Sequence, residues 1–345
     1  MGTDGPAGRA GEVGRFNDSG SRRIIMSGKI GFLLLITILL AACSPTGSAT
    51  PAVGSMEPSA STAEGATPIT LIDDLGRTVV LAAPAQRVVS LAPANTEILF
   101  AVGAGGQVVG RDETSDFPAD ALALPTIGGY SGFNLEAIVA LHPDLVLAQG
   151  GGFNSPELVA SLEELGLTVF SLPNPTSMEG MFANLETVAL LTGHEQEVET
   201  LLASLRTRVA AVDEKIMPLS YAPTVYYELD ATEPSKPFTA GPGTFVDLLI
   251  SRAGGLNIGS ALEGQWAQIS LEQLVVANPA MIILGDAAYG ETSEKVSQRP
   301  GWEMLTAIQT GQVFPIDDNL VSRPGPRLVD GLEALARLLH PGVFK

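Results

Sequence analysis

The stretch Asn134-Leu135-Glu136-Ala137-Ile138-Val139-Ala140-Leu141-His142-Pro143-Asp144-Leu145-Val146-Leu147-Ala148-Gln149 occurs twice. Its second copy is Ser270-Leu271-Glu272-Gln273-Leu274-Val275-Val276-Ala277-Asn278-Pro279-Ala280-Met281-Ile282-Ile283-Leu284-Gly285, aligned without a gap at an offset of 136. Four of the sixteen positions are identical (Leu, Glu, Val and Pro), and seven more exchange one apolar residue for another. Each copy reads as a helix cap, a short helix, a proline stop and a buried strand. A chain that holds this unit twice is expected to contain two related α/β lobes.

Outward from the two units the chain keeps the same rhythm. Ile69–Leu81 reads as a strand, the turn Asp73-Asp74-Leu75-Gly76 and a second strand. Arg87–Leu91 is a β-rich run closed by Pro93. Thr96-Glu97 opens a helix that stops at Gly103, and Val108–Arg111 is a strand. After the first unit, Gly150-Gly151-Gly152-Phe153-Asn154 is a loop, Ser155 caps a helix ending at Gly166, and Thr168–Leu172 is a strand. The second unit is preceded by strand Val225–Tyr227 and helix Phe245–Arg252. It is followed by helix Trp302–Ile308, strand Val313–Ile316 and closing helix Leu328–Leu339. Strands alternating with helices predict parallel sheets.

Between the halves, Ser177–Thr192 and Glu195–Met217 are helical patterns broken at Gly193. The second carries Val198, Leu201, Leu202, Leu205, Val209 and Val212 on one face and spans roughly 35 Å. The expected fold is therefore α/β: two Rossmann-like lobes of parallel sheet and helices, residues 69–192 and 219–345. One stiff interlobe helix, residues 193–218, joins them.

The hydrophobic fraction is 45% and the charged fraction 17%, the balance of a globular chain with a large core. Net charge is −19. Residues 1–42 carry 5 basic and 3 acidic residues, which leaves 14 basic against 35 acidic from Cys43 onward, a net −21. So acidic a surface disfavours nucleic acid and anionic lipid headgroups. It suits a neutral ligand or a basic protein patch. A monomer is expected.

Ile30–Leu40 is an apolar run behind Lys29, too short to span a bilayer and suited to a signal-peptide core. It ends in Leu40-Ala41-Ala42-Cys43, with the chain's single cysteine. This resembles the lipobox of bacterial lipoproteins, which implies lipidation at Cys43 and export. Residues 1–42 are then leader and signal peptide, with Met1 and Met26 both candidate starts. Residues 43–68 are the anchor and a Ser/Thr/Pro/Ala/Gly tether.

Candidate chemistry is sparse. Gly129-Tyr130-Ser131-Gly132-Phe133 misses the nucleophile elbow at its last position, so an exported α/β hydrolase is only an alternative. Gly103-Ala104-Gly105-Gly106-Gln107-Val108 lacks the third glycine of a dinucleotide loop. His142 stands at a helix end, where histidine satisfies carbonyls. His194 starts a helix and His340 lies in the tail, so no resident metal is expected. Aromatics concentrate in loops after strands, where α/β sheets place ligands. Phe117, Tyr130, Phe153 and Trp266 are the expected walls of a ligand site. Arg323, in Ser322-Arg323-Pro324-Gly325-Pro326, and Asn154 are its expected polar contacts. Asn134 and Ser270 place Glu136 and Glu272 in the first helical turn, where the helix dipole favours a carboxylate. That explains the residue type; equivalent positions in two lobes also make a two-fold handle for a partner.

At these residues the chain resembles class III substrate-binding proteins of bacterial ABC importers, the group with vitamin B12-, ferric siderophore- and haem-binding members. The resemblance runs from about Ile69 to the C-terminus. It rests on Arg87-Val88-Val89-Ser90-Leu91-Ala92-Pro93, Thr96-Glu97, Val109-Gly110, both repeated units, Gly254-Gly255-Leu256-Asn257 and Pro300-Gly301-Trp302. It implies that Glu136 and Glu272 pair with arginines of a permease dimer, and that a metal chelate binds between the lobes. Tyr130 stands where vitamin B12-binding members carry a Trp. Trp266-Ala267-Gln268-Ile269-Ser270-Leu271-Glu272 is similar to their Trp-Pro-Gln-Val-Ser-x-Glu. Cobalamin is thus the favoured cargo, with siderophore or haem as alternatives.

Overall fold

The computed structural model describes residues 68–344. The leader, Cys43 and the tether up to residue 67 lie outside the described residues.

The first half runs β1 (Ile69–Ile72), β2 (Thr78–Leu81), β3 (Val88–Ser90), α1 (Pro93–Ala101), β4 (Val108–Arg111), β5 (Gly128–Gly129), β6 (Gly132–Phe133), α2 (Leu135–Ala140), β7 (Leu145–Gln149), α3 (Pro156–Glu164), β8 (Val169–Leu172) and α4 (Met178–Thr192). The connecting helix is α5 (Glu195–Ile216). The second half runs β9 (Thr224–Glu228), β10 (Phe238–Ala240), α6 (Phe245–Arg252), β11 (Leu256–Asn257), β12 (Trp266–Gln268), α7 (Leu271–Ala277), β13 (Met281–Leu284), α8 (Ser293–Ser297), α9 (Thr306–Gln309), β14 (Val313–Pro315), α10 (Asn319–Ser322) and α11 (Leu328–Leu339).

Each half builds a four-stranded parallel sheet, in the order β4-β3-β7-β8 and β11-β9-β13-β14. The two orders are the same: second, first, third, fourth. The strand of each repeated unit sits centrally in its own sheet, Val146 opposite Val89 and Ile283 opposite Tyr227.

Successive strand residues face opposite sides of a sheet, and the core follows that alternation. Val88, Leu145, Leu147 and Phe170 share one apolar core with Val225, Tyr227, Met281 and Ile283 of the other sheet. The core is continuous between the halves through α4, α5, α6 and α11. The outward faces form smaller cores of their own: Val89, Val146 and Ala148 in the first lobe, Tyr226, Ile282 and Leu284 in the second. Helix α5 buries Val198, Leu202, Leu205, Val209 and Val212. Arg206 on α5 reaches Glu179 and Glu186 of α4, and Arg208 reaches Asp330 and Glu333 of α11. The helix is thus keyed into both lobes.

The repeated unit behaves alike in its two settings. The Asn134 side chain accepts from Ala137 N at 3.0 Å. Ser270 accepts from Gln273 N at 3.2 Å, and Gln273 Oε1 accepts from Ser270 N at 2.9 Å, a complete capping box. His142 (φ 46°) and Asn278 (φ 41°) are the non-glycine residues with positive φ among the described residues, and they are equivalent. Each ends its helix in the left-handed conformation before proline.

Several elements depart from the sequence expectation. Pro93 opens α1 at its first position instead of closing the strand, as its fixed φ allows. Thr96 and Glu97 are therefore buried inside that helix. Trp302–Ile308 is not one helix but a 3₁₀ turn, Trp302–Met304, followed by α9. The carbonyls near His142 are satisfied by Arg87, not by the histidine. Arg87 Nε donates to His142 O at 3.0 Å and Nη2 to Leu141 O at 2.6 Å.

Candidate functional site

The loops that follow β3 and β7 face loops of the second lobe across a cavity of about 410 Å³. Its first-lobe wall includes Pro93, Gln149, Gly151, Phe153 and Asn174, and its second-lobe wall Thr244, Gln265, Trp266 and Arg323. A second cavity of about 440 Å³ continues on the first-lobe side and holds Leu91, Asp112, Tyr130, Phe133 and Asn154. Pro93, Gly152 and Phe153 line both. This is the position that open α/β sheets reserve for ligands, beyond the carboxyl ends of their strands.

The glycine loop after β7 has a structural reason. Gly150 lies against the Asp74 carboxylate and leaves no space for a Cβ. The same carboxylate accepts from Gly151 N at 3.1 Å, and Gly151 takes φ 65°. The entrance hairpin β1–β2 therefore supports the cleft floor from below.

The expected wall residues fall into two groups. Tyr130 is fully exposed at the mouth, Phe153 (58%) divides the two cavities, and Trp266 (51%) stands on β12. These three aromatics present ring surface to the cleft. Phe117 is half-exposed but lines neither cavity; its ring lies 4.0 Å from the Arg327 guanidinium.

The two expected polar contacts are engaged within the protein. Asn154 is buried; its Oδ1 accepts from Gln149 N at 2.7 Å and its Nδ2 donates to Leu91 O at 3.4 Å. It fixes the loop. Arg323 donates to Glu97 Oε1 at 3.2 Å and Asp116 Oδ1 at 2.6 Å across the cleft. Arg327 adds a bidentate pair to Glu97, Nε to Oε2 at 2.9 Å and Nη2 to Oε1 at 2.5 Å. The lobes are thus braced at the cleft by two arginines on one buried carboxylate, and Arg323 enters the cleft with its charge already matched.

Sequence reasoning missed Gln149. It is 97% buried at the end of β7 and lines the cavity, and its Oε1, buried, accepts no hydrogen bond. A buried carbonyl oxygen left open is rare. Gln149 reads in sequence as a strand's last residue; the one available signal is its place before a triple glycine. Asn174 and Gln265 add further amides.

Glu136 and Glu272 are exposed at the second positions of α2 and α7 and form no ion pair or hydrogen bond among the described residues. Beside Glu136 runs a shallow apolar groove lined by Leu135, Val139, Ala140 and Leu165. On α7, Val276 is nearly fully exposed. His142, His194 and His340 are far apart in chain and role. His194 Nε2 meets Gln107 Oε1 at 3.1 Å, and His340 Nε2 meets Gly254 O at 3.2 Å. Among the described residues no three His, Cys, Asp or Glu are grouped to hold a metal ion. No described helix is long and apolar enough to cross a membrane.

Two similar α/β lobes on one connecting helix, with an aromatic cleft between them, define a two-lobed solute-binding protein. The chain belongs to the periplasmic binding protein family, whose sequence profile matches residues 88–320. It is 28% identical over 279 residues to the uncharacterized ABC transporter substrate-binding lipoprotein YvrC of Bacillus subtilis, covering 81% of this chain and 87% of that one. It is 30% identical over 257 residues to the vitamin B12-binding protein of Vibrio cholerae, covering 74% and 90%. Among solved structures, the periplasmic vitamin B12 binding protein BtuF of Vibrio cholerae superimposes with TM-score 0.65 at 28% identity, covering 75% of this chain and 98% of that one. The apo haem-binding protein RhuT from Roseiflexus sp. RS-1 superimposes with TM-score 0.67 at 26% identity, covering 75% and 99%.

Proposed function

We propose that this protein is the extracytoplasmic substrate-binding component of an ABC importer, and that it carries an uncharged, amide-bearing metal chelate of the corrinoid class. It is not an enzyme in this reading. The observation that carries the cargo is a cleft lined by aromatic faces and neutral amides whose one arginine is already paired. Haem brings two carboxylates, which a free cation in the cleft would favour. A corrinoid brings peripheral carboxamides, which suit the cleft's amides at Gln149, Asn174 and Gln265. Tyr130, Phe153 and Trp266 supply flat apolar surface for the macrocycle. The names of the vitamin B12-binding relatives point the same way.

The ligand site is assigned to Tyr130, Phe153, Trp266 and Gln149, with Arg323 and Asn154 shaping it. Glu136 and Glu272 dock on a permease dimer, each beside exposed apolar surface, and Cys43 carries a lipid anchor on the outer face of the cytoplasmic membrane. The monomer is the delivering unit.

The test is titration with cyanocobalamin, hemin and a ferric hydroxamate, read by Trp266 fluorescence and calorimetry. The expected result is saturable binding of cyanocobalamin, weakened roughly five- to 150-fold by Gln149→Leu, a loss of the amide worth ~1–3 kcal/mol. Preferential hemin binding that is lost in Tyr130→Phe would replace the corrinoid reading with a haem one.

A further inference from the structure

We propose that Asp116 is a specificity-determining residue: it holds the Arg323 guanidinium at the cleft in a neutral pair, and so excludes cargo that carries a free carboxylate. This role rests on the cleft being the site of a neutral chelate, and it names what enforces that neutrality.

Arg323 lines the cavity and keeps 13% of its side chain accessible. Its bonds to Glu97, Asp116 and Thr114 O use the two terminal nitrogens, and Nε donates to no described residue. The guanidinium therefore has a donor left for a ligand but no unmatched charge for an anion.

Two carboxylates balance two arginines here, and they are not equivalent. Glu97 is buried and receives Arg327 bidentately as well as Arg323. Removing it would strand two cations in the protein. Asp116 is 55% exposed, and its side chain makes one hydrogen bond among the described residues, to Arg323 at 2.6 Å. Its charge can be removed with little demand on the fold. The loop after β4 carries it across both arginines: Asp116 meets Arg323, and the ring of Phe117 lies 4.0 Å from the Arg327 guanidinium. Asp112 on the neighbouring cavity wall does not substitute for it, because that carboxylate accepts from Thr114 N and from the hydroxyls of Thr114 and Ser115. Without Asp116 the buried Glu97 alone faces two arginines, and the excess positive charge sits on the one that reaches the cavity. With Asp116 in place, an incoming carboxylate meets a like charge on the same guanidinium.

The test is the ratio of affinities, measured by calorimetry on the intact protein, for cyanocobalamin and for its peripheral monocarboxylic acids, in which one carboxamide is hydrolysed. The wild type is expected to bind the acids more weakly than the parent. In Asp116→Asn and Asp116→Ala the ratio is expected to fall at least tenfold for the acid whose carboxylate lies by Arg323. Asp116→Glu, which restores the charge, is expected to keep the wild-type ratio. Adding Arg323→Gln to Asp116→Asn is expected to cancel the gain. An Asp116 that only braces its loop would weaken parent and acids alike and leave the ratio as it was. A ratio unchanged in both charge-removing variants overturns the proposal and leaves the corrinoid cargo standing. Failure of the wild type to bind cyanocobalamin, or its preference for hemin, overturns both.

Discussion

The two lobes share strand order, cap chemistry and a left-handed helix end, yet their strand ends carry different chemistry. The last position of the repeated unit is Gln149 in the first lobe and Gly285 in the second. In the first lobe the side chain there lines the cleft, and its buried Oε1 has no hydrogen-bond partner. In the second a side chain cannot fit, because the Tyr227 hydroxyl occupies the space on its way to Asp318 Oδ1 at 2.6 Å. The polar role shifts one residue on, to Asp286, and lands beside Glu228 and Arg299. The first lobe offers neutral amides and aromatic faces, the second a buried ionic cluster. A duplicated scaffold thus fixes where loops emerge but not what they carry.

The sharpest way to test the equivalence is to remove the feature the lobes still share. Glu136→Ala with Glu272→Ala is expected to reduce uptake to the level of cells lacking the protein, while cargo affinity in solution is unchanged. Each single variant is expected to retain part of the uptake. Full transport by the double variant would end the docking role, and loss from one single variant alone would show the two handles to be unequal. Exposed ion pairs are individually weak, so the effect works through orientation and encounter.

The ionic clusters give the next largest difference. In Arg299→Ala, Glu228 keeps a buried charge with no cation, at a cost of about 3–5 kcal/mol. In Arg327→Ala, Glu97 retains Arg323, so the cost is about 1.5–3 kcal/mol. Urea unfolding of both variants measures the ratio. Equal losses would mean that Arg323 does not compensate at the cleft. The second variant also removes an interlobe strut, and a change in cargo dissociation rate would tie that strut to closure.

The α/β class, the two parallel sheets and the long helix were legible because periodicity and caps are local signals. The capping box at Ser270 and the glycine stop at Gly193 can be read without tertiary knowledge. The docking role proposed for Glu136 and Glu272 rests on the repeat, which turns an ordinary first-turn carboxylate into a pair. What stayed hidden depended on distant partners. Arg323 looked free because Glu97 lies 226 residues away in the chain. Asn154 looked like a ligand contact because nothing local shows its bonds to Gln149 and Leu91. Pro93 looked like a strand stop, although proline serves equally well as the first residue of a helix. Gln149 became visible only as a buried side chain with an unpartnered atom, a property that exists after folding and not before.

The smallest effect bears on the closest likeness. His142 and Asn278 hold the same left-handed conformation, but at different cost. Asparagine tolerates it, and Asn278 Oδ1 also accepts from Thr306 N at 2.8 Å. The His142 side chain gains no hydrogen bond there, and the neighbouring carbonyls are satisfied by Arg87 whatever side chain stands at 142. His142→Gly should therefore relieve strain and stabilise by about 0.4–1 kcal/mol, while Asn278→Gly should destabilise by about 0.5–1.5 kcal/mol through the lost acceptor. Opposite shifts in the urea midpoint are expected from the same substitution at equivalent positions. Shifts of one sign would mean that backbone conformation alone governs both sites, and that the two helix ends are more alike than their side chains make them.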